Sequence, residues 1–327
     1  MAVYTQLGAE TLGQIIAEFD VGTLVSAKGI AEGVSNSNWL VETRKPGGEP
    51  ARFILTMYEG RTETDDLPFF LGLLDHLAAR GCPVPRTIHD RAGGAFRFHE
   101  SKALALIEFL PGVSVSEPTP AQAHEVGAAL AQMHLAATDF AGARANGMGR
   151  AAWRSLLDDC GADGLASIAP DLGDLVESEL DALDTLWPAT LPRSVIHADL
   201  FPDNVLMLDG KVTGLIDFYF ACTDITAYDI AVTHAAWCFS GDGHSFDHAL
   251  SSALLQGYRA VRPLGDEERT ALPILARGAS MRFLATRAYD WLNTPKDALV
   301  TPKDPLAFAR RLRFYADPGN ANVFTQG

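Results

Sequence analysis

Val195-Ile196-His197-Ala198-Asp199-Leu200-Phe201-Pro202-Asp203-Asn204-Val205 carries an H-x-D-x-x-x-x-N pattern, and Gly214-Leu215-Ile216-Asp217-Phe218 follows it as an apolar run ending in Asp-Phe. Between the two, Asp209-Gly210 is a hairpin dipeptide, so the chain is expected to fold back and deliver Asp217 beside the loop that holds Asp199 and Asn204. Phosphoryl transfer to an alcohol asks a protein for few parts: a carboxylate that accepts the hydroxyl proton, and oxygen ligands that hold magnesium against the phosphates. Asp199 suits the first task, Asn204 and Asp217 the second as metal ligands, and His197 is read as a structural residue that hydrogen-bonds the loop backbone. His, Asp and Asn also gather in turns for conformational reasons alone. Average composition gives a chance match to the loop pattern in about 0.02 of such chains, and the strand ending in Asp-Phe makes coincidence rarer still.

Upstream of this segment the chain is strand-like and punctuated by turns. Leu24 to Ala31, Asn38 to Thr43 and Phe53 to Tyr58 read as three strands, Thr64 to Arg80 as a helix closed by Gly81, and 95–98 and 103–109 as two further strands. Leu110-Pro111-Gly112 breaks the pattern, and beyond it a 3.6-residue apolar period recurs over 120–137, 172–186, 248–262, 266–292 and 305–315. The expected fold class is α+β with two lobes: a small antiparallel-sheet lobe with one helix over 1–106, a hinge over 107–112, and a larger, mostly helical lobe over 113–327.

Composition narrows the partners. Of 327 residues, 47% are hydrophobic and 20% charged, as in an ordinary globular chain. The net charge of -15 argues against nucleic acid and anionic membranes, which require a basic footprint. Cys82, Cys160, Cys222 and Cys238 are scattered and form no CxxC pair, so neither a zinc site nor a disulfide framework is expected. The first twenty residues lack the basic and apolar regions of a signal peptide, and no apolar stretch is long enough to cross a bilayer. A cytoplasmic location is expected.

The loop and the Ile216-Asp217-Phe218 run resemble those of the aminoglycoside phosphotransferase-like kinases, relatives of the protein kinases that phosphorylate small molecules. Within that superfamily the chain is most similar to the bacterial homoserine kinases of this fold. The stretches that carry the resemblance are Gly29 to Gly33 with Asn36-Ser37-Asn38, Asp66 to Phe70, His197 to Asn204, Leu215 to Ala221, Ala236 to Phe239 and Tyr289 to Leu292. The resemblance implies a protein-kinase-like two-lobe fold, ATP and magnesium as cofactors, and phosphorylation of the homoserine hydroxyl on the way to threonine. Aminoglycoside, choline and methylthioribose kinases share the fold and stay open as alternatives, as does a nucleotide-binding module without catalysis.

The remaining parts of a nucleotide site are less distinctive. Gly29, Gly33, Ser35, Asn36, Ser37 and Asn38 lie between two expected strands, where backbone N–H groups can approach phosphates. Glu108 and Leu110 fall where the resemblance places the hinge that reads the adenine edge. No GxxxxGK[ST] loop is present. Protein kinases also carry a lysine on the third strand, and here Thr56 stands in its place, leaving Lys28, Arg61, the metal or loop amides to offset the phosphate charge. Homoserine is a small zwitterion. Arg282 and Arg287 are candidates for its carboxylate, and Asp224, Asp229 and Asp290 for its ammonium, although arginines on long helices and a carboxylate near a helix start commonly serve structure instead. His134 is read as a packed core histidine.

Overall fold

A short helix, α1 (Ala9–Ala17), precedes the strands β1 (Thr23–Ile30), β2 (Asn36–Arg44) and β3 (Pro50–Tyr58), and is followed after them by α2 (Leu67–Ala79), β4 (Thr87–Ile88), β5 (Arg97–His99) and β6 (Lys102–Glu108). The computed structural model describes residues 5–30, 36–59, 63–295 and 301–325. The strands form one antiparallel sheet in the order β1-β2-β3-β6-β4, with β5 also on β6. Alternation decides its faces. Trp39, Val41, Phe53, Leu55, Met57, Leu104 and Leu106 point one way and bury against Leu12, Ile15 and Ile16, the i, i+3, i+4 stripe of α1. The sequence reading did not include α1, whose nine residues are fixed by this packing more than by their own propensity. Gly81 adopts φ 79° just past α2, the left-handed conformation expected of a helix-terminating glycine.

This sheet belongs to one compact unit, Met1–Gly112 with Phe140–Gly142; the other comprises Val113–Asp139 with Ala143–Gly327. The second unit is mainly helical: α3 (Pro120–Ala136), α4 (Arg150–Ile168), α5 (Leu172–Leu186), α6 (Thr226–Trp237), α7 (His248–Val261), α8 (Asp266–Asn293) and α9 (Leu306–Ala316). Two small antiparallel pairs interrupt the helices, β7 (Arg193–Ile196) with β10 (Cys222–Ile225), and β8 (Val205–Leu208) with β9 (Lys211–Leu215). Local chemistry explains where α3 starts. Thr119 accepts from the Gln122 amide while the Gln122 side chain accepts from the Thr119 amide, and Pro120 takes the first helical position, where no N–H is needed. Helix α4 was not expected from the sequence; Gly161 interrupts it with φ 67°, which breaks the apolar period. Among the described residues no helix is long and apolar enough to cross a membrane.

Candidate active site

The H-x-D-x-x-x-x-N segment joins β7 to β8, and its backbone is held from several sides. Asp229, fully buried on α6, accepts the His197 amide at 2.7 Å and the Ala198 amide at 2.7 Å. Its Oδ2 also accepts His134 Nε2 at 2.9 Å, and His134 Nδ1 faces the Tyr258 hydroxyl at 2.7 Å. Burial pushes the Asp229 carboxyl up, but the His134 hydrogen bond and the other polar partners outweigh it and hold the group below its usual range. Arg282, 2% exposed on α8, donates to the Ala198 carbonyl. Trp237 Nε1 donates to the Leu200 carbonyl at 2.9 Å. These anchors offset the left-handed conformation that Ala198 adopts at φ 64°.

His197 is fully buried, and desolvation keeps its imidazole below the usual range, hence neutral. Its Nδ1 accepts the Asp199 amide at 3.2 Å and its Nε2–H donates to the Ile216 carbonyl at 2.9 Å. The Ile216 amide in turn donates to the Asn204 carbonyl at 3.0 Å. Ile216 is thus clamped on both sides of its peptide, and the residue after it, Asp217, is delivered beside the loop. Asp217 itself sits at φ 65°. The turn that makes the return possible is Asp209-Gly210, both at positive φ. Behind the loop, Cys222 pairs with Ile196 on the β7–β10 ladder, its thiol pushed by burial up to about 12.

Asn204 Nδ2 donates to the Asp199 carbonyl at 2.8 Å and to Asp199 Oδ2 at 3.2 Å. Burial first, with the charge of Asp217 added, raises the Asp199 carboxyl to about 7, against the opposing pull of Arg282, whose Nη2 lies 3.8 Å from Oδ1. The Asp217 carboxyl is raised as well, chiefly by desolvation. Asp217 keeps surface open to water, so the crowding that disfavours its charge comes from protein around a reachable carboxylate. With its amide nitrogen committed to Asp199, Asn204 has its side-chain oxygen left as an acceptor. That oxygen and the Asp217 carboxylate are hard donors of the kind magnesium takes, and a poorly solvated carboxylate gains from a cation. Among the described residues no three His, Cys, Asp or Glu form a metal cluster, so a cation here would complete its shell with water and phosphate oxygens.

In the first unit, Lys28, Gly29, Ile30, Leu40, Ile54 and Phe109 line an open recess of about 340 Å³. Apolar side chains from three strands and the segment after β6 give it walls suited to a flat heterocycle. Gly33, Ser35 and Arg61 lie outside the described residues. Asn36 is buried and accepts the Glu59 amide at 3.4 Å, and Asn38 accepts the Thr56 hydroxyl at 2.7 Å. Ser37 alternates to the opposite face, where its hydroxyl meets Glu59, so its side chain turns away from the recess. Glu108 donates its amide to the Arg86 carbonyl at 2.9 Å and pairs its carboxylate with Arg86 at 3.1 Å; Leu110, two residues on, lies in the irregular stretch before Pro111.

The substrate candidates are not gathered in one place. Arg282 lies beneath the loop and serves its backbone, a structural use that the sequence reading left open. The Asp224 carboxylate is engaged by Arg193 at 3.1 Å and Asn146 at 2.7 Å on β10. Asp290 is exposed in the last turn of α8. Arg287 packs over Phe308 at 4.5 Å and is near enough to feel the Asp199 charge, with burial and neighbouring Arg311 drawing its guanidinium down to about 10. Sequence reasoning missed the roles of Trp237, Tyr258 and the Asp229–His134 pair as loop anchors. The pairs are 95 and 124 residues apart in the chain, and a histidine within an apolar helical stripe was the one available sign.

Comparison with known proteins gives the family and the fold. The phosphotransferase enzyme family matches residues 26–264. The chain is 52% identical over 316 residues to a homoserine kinase of Xanthobacter autotrophicus, covering 96% of each chain, and 50% identical over 324 residues to one of Azorhizobium caulinodans, covering 99% of each. Among solved structures it resembles an amicoumacin kinase in complex with AMP-PNP, Ca2+ and Ami, with TM-score 0.68, 16% identity and coverage of 98% of this chain and 94% of that one. It also resembles a spectinomycin phosphotransferase bound to ADP and spectinomycin, with TM-score 0.68, 14% identity and coverage of 98% of each. At these identities the structural likeness establishes the protein-kinase-like fold alone.

Proposed function

The chain belongs to the phosphotransferase enzyme family and, within it, to the homoserine kinases, and on that premise we propose that it transfers the γ-phosphoryl group of ATP to the hydroxyl of homoserine, giving O-phosphohomoserine for threonine synthesis. Asp199 receives the proton that the hydroxyl loses as its oxygen bonds to phosphorus and the bond to ADP breaks. The fixing of the Asp199 side chain by Asn204 at 3.2 Å is the observation that carries this role, and the burial that raises its carboxyl favours acceptance of a proton. Asn204 and Asp217 would hold magnesium, which supplies charge neutralisation at the phosphates when bound. His197 stays neutral and ties the loop to the strand that ends in Asp217. The recess lined by Leu40, Ile54 and Phe109 receives the adenine, with Glu108 and Leu110 as the hinge, in a division of the chain into a nucleotide lobe over 1–106, the hinge over 107–112 and a substrate lobe over 113–327. Arg287 is our candidate for the substrate carboxylate, since Arg282 is turned to the Ala198 carbonyl, whereas Arg287, which donates to the Asp304 carbonyl at 3.2 Å, is near enough to feel the Asp199 charge.

A coupled ADP-release assay over homoserine, choline, methylthioribose and an aminoglycoside tests the assignment, with homoserine expected to give the highest kcat/KM. Equal or lower turnover of homoserine would overturn the substrate. Asp199→Ala is expected to lower kcat by about 10²–10⁴-fold while ATP still raises the melting temperature; loss of both together would indicate collapse of the site instead of a missing base.

A further inference from the structure

We propose that Asn38, oriented by Thr56, performs at the ATP phosphates the task that protein kinases give to a lysine on the third strand; the inference rests on the nucleotide reading above. Strand register sets the two side chains on one face. β2 and β3 pair without a shift, Leu40 opposite Ile54 and Asn38 opposite Thr56, while Ile30 of β1 stands opposite Asn38. Residues two apart on a strand share a face. Asn38 and Thr56 therefore face the same side as Leu40 and Ile54, which line the recess, and stand one row closer to the glycine-bearing 31–35 connection. Two residues of strand advance about 7 Å, the scale that separates a nucleotide base from its first phosphates.

The chemistry of the pair fixes the direction of the amide. Thr56 is 3% exposed, and its hydroxyl donates its one proton to Asn38 Oδ1 at 2.7 Å. Asn38 is half-buried, and with its oxygen used inward its NH2 group presents two donors on the other side. A phosphate oxygen is the acceptor this group suits, because hydrogen bonds to charged acceptors are about twice as strong as neutral ones. The neighbouring cation on β6 cannot substitute. Lys102 shares the face of Leu104 and Met57, on the far side of the sheet, and is paired with Glu59. Lys28 stands opposite Leu40, level with the recess itself. A neutral carboxamide held by a threonine thus occupies the row where a kinase lysine would stand. Thr56 acts through Asn38 and is a positioning residue.

Calorimetric titration of the full chain with ATP and, separately, adenosine, both with magnesium, tests the proposal. Thr56→Val should weaken ATP about tenfold or more and leave adenosine unchanged, and Thr56→Ser, which keeps the hydroxyl, should restore most of the loss. Asn38→Ala should match Thr56→Val, and the double variant should be no worse than either single one. Unchanged ATP affinity in Thr56→Val, an equal loss of ATP and adenosine, or additive losses in the double variant would each overturn it. If the unaltered chain binds neither ligand, the nucleotide reading fails and takes this inference with it; if it binds both and Thr56→Val binds ATP as tightly, only this inference fails.

Discussion

Asp199 experiences opposing influences: desolvation and Asp217 favour its proton, while Arg282, Lys303 and Asn204 favour its charge. Because its folded pKa of about 7 exceeds the ordinary value of 3.8, the native chain keeps a proton that the unfolded chain releases. Its contribution to stability therefore falls as pH rises from about 4 to about 7. Asp199→Asn, which cannot ionise, should gain in melting temperature relative to the unaltered chain by more at pH 8 than at pH 5, by a few degrees. Scanning calorimetry at both values checks this, and an equal shift at the two would contradict it. In the active enzyme a carboxylate base predicts an acid limb in kcat/KM for homoserine that Asp199→Asn abolishes together with most of the activity. Asp199, Asn204 and Asp217 were legible in the sequence because a loop and a hairpin bring them together within nineteen positions. Arg282 was legible only as a cation. That its guanidinium is turned under the loop to Ala198 is a tertiary fact with no local signature.

At the level of elements, α3 and α7 cross with glycines facing each other's backbone. A β-carbon on Gly127 would run into the Leu254 carbonyl, and one on Gly257 into the His124 carbonyl. This approach brings His134 of α3 within reach of Tyr258 of α7, so the packing of two helices supports the loop through Asp229. Gly127→Ala should cost about 1–3 kcal/mol, read from urea unfolding with an unchanged m-value. A neutral substitution would show that the helices can separate without penalty. The strands and long helices expected from the sequence fall within three residues of the observed bounds because their periods are strong. The helix expected over Thr64–Arg80 resolves into a single turn, Thr64–Asp66, and then α2, with Pro68 accommodated near the start. The missed helices, α1 and α4, are a short stripe and a helix broken by glycine, both dependent on distant partners for their stability, and the two-residue β4 was missed as well.

For the molecule as a whole, the charge of -15 revealed nothing about where the cations go. Arg282 and Arg311 are 2% and 3% exposed, stacked against Phe283 at 4.6 Å and Phe308 at 4.3 Å. An acidic chain thus places part of its limited basic complement inside the helical unit, with Arg282 3.8 Å from the Asp199 carboxylate. The two-part plan was visible in the change from strand to helix periods near Leu110-Pro111-Gly112. Membership of residues 140–142 in the sheet-bearing unit was not, since it depends on Phe140 meeting Phe69 and His76 rather than on any local pattern.

The ladder step between Cys222 and Ile196 gives the protein a built-in reporter. A thiol that is fully buried and pushed up to about 12 offers almost no thiolate to a maleimide at neutral pH. Modification of Cys222 must therefore wait for β10 to peel from β7, the strand that leads into the loop. In a mass-spectrometric time course its labelling should keep pace with global unfolding in urea; rapid labelling of the native chain would mean that the strand breathes on its own. An alkylating reagent, needing no engineered probe, can thereby time the opening of the backbone behind Asp199.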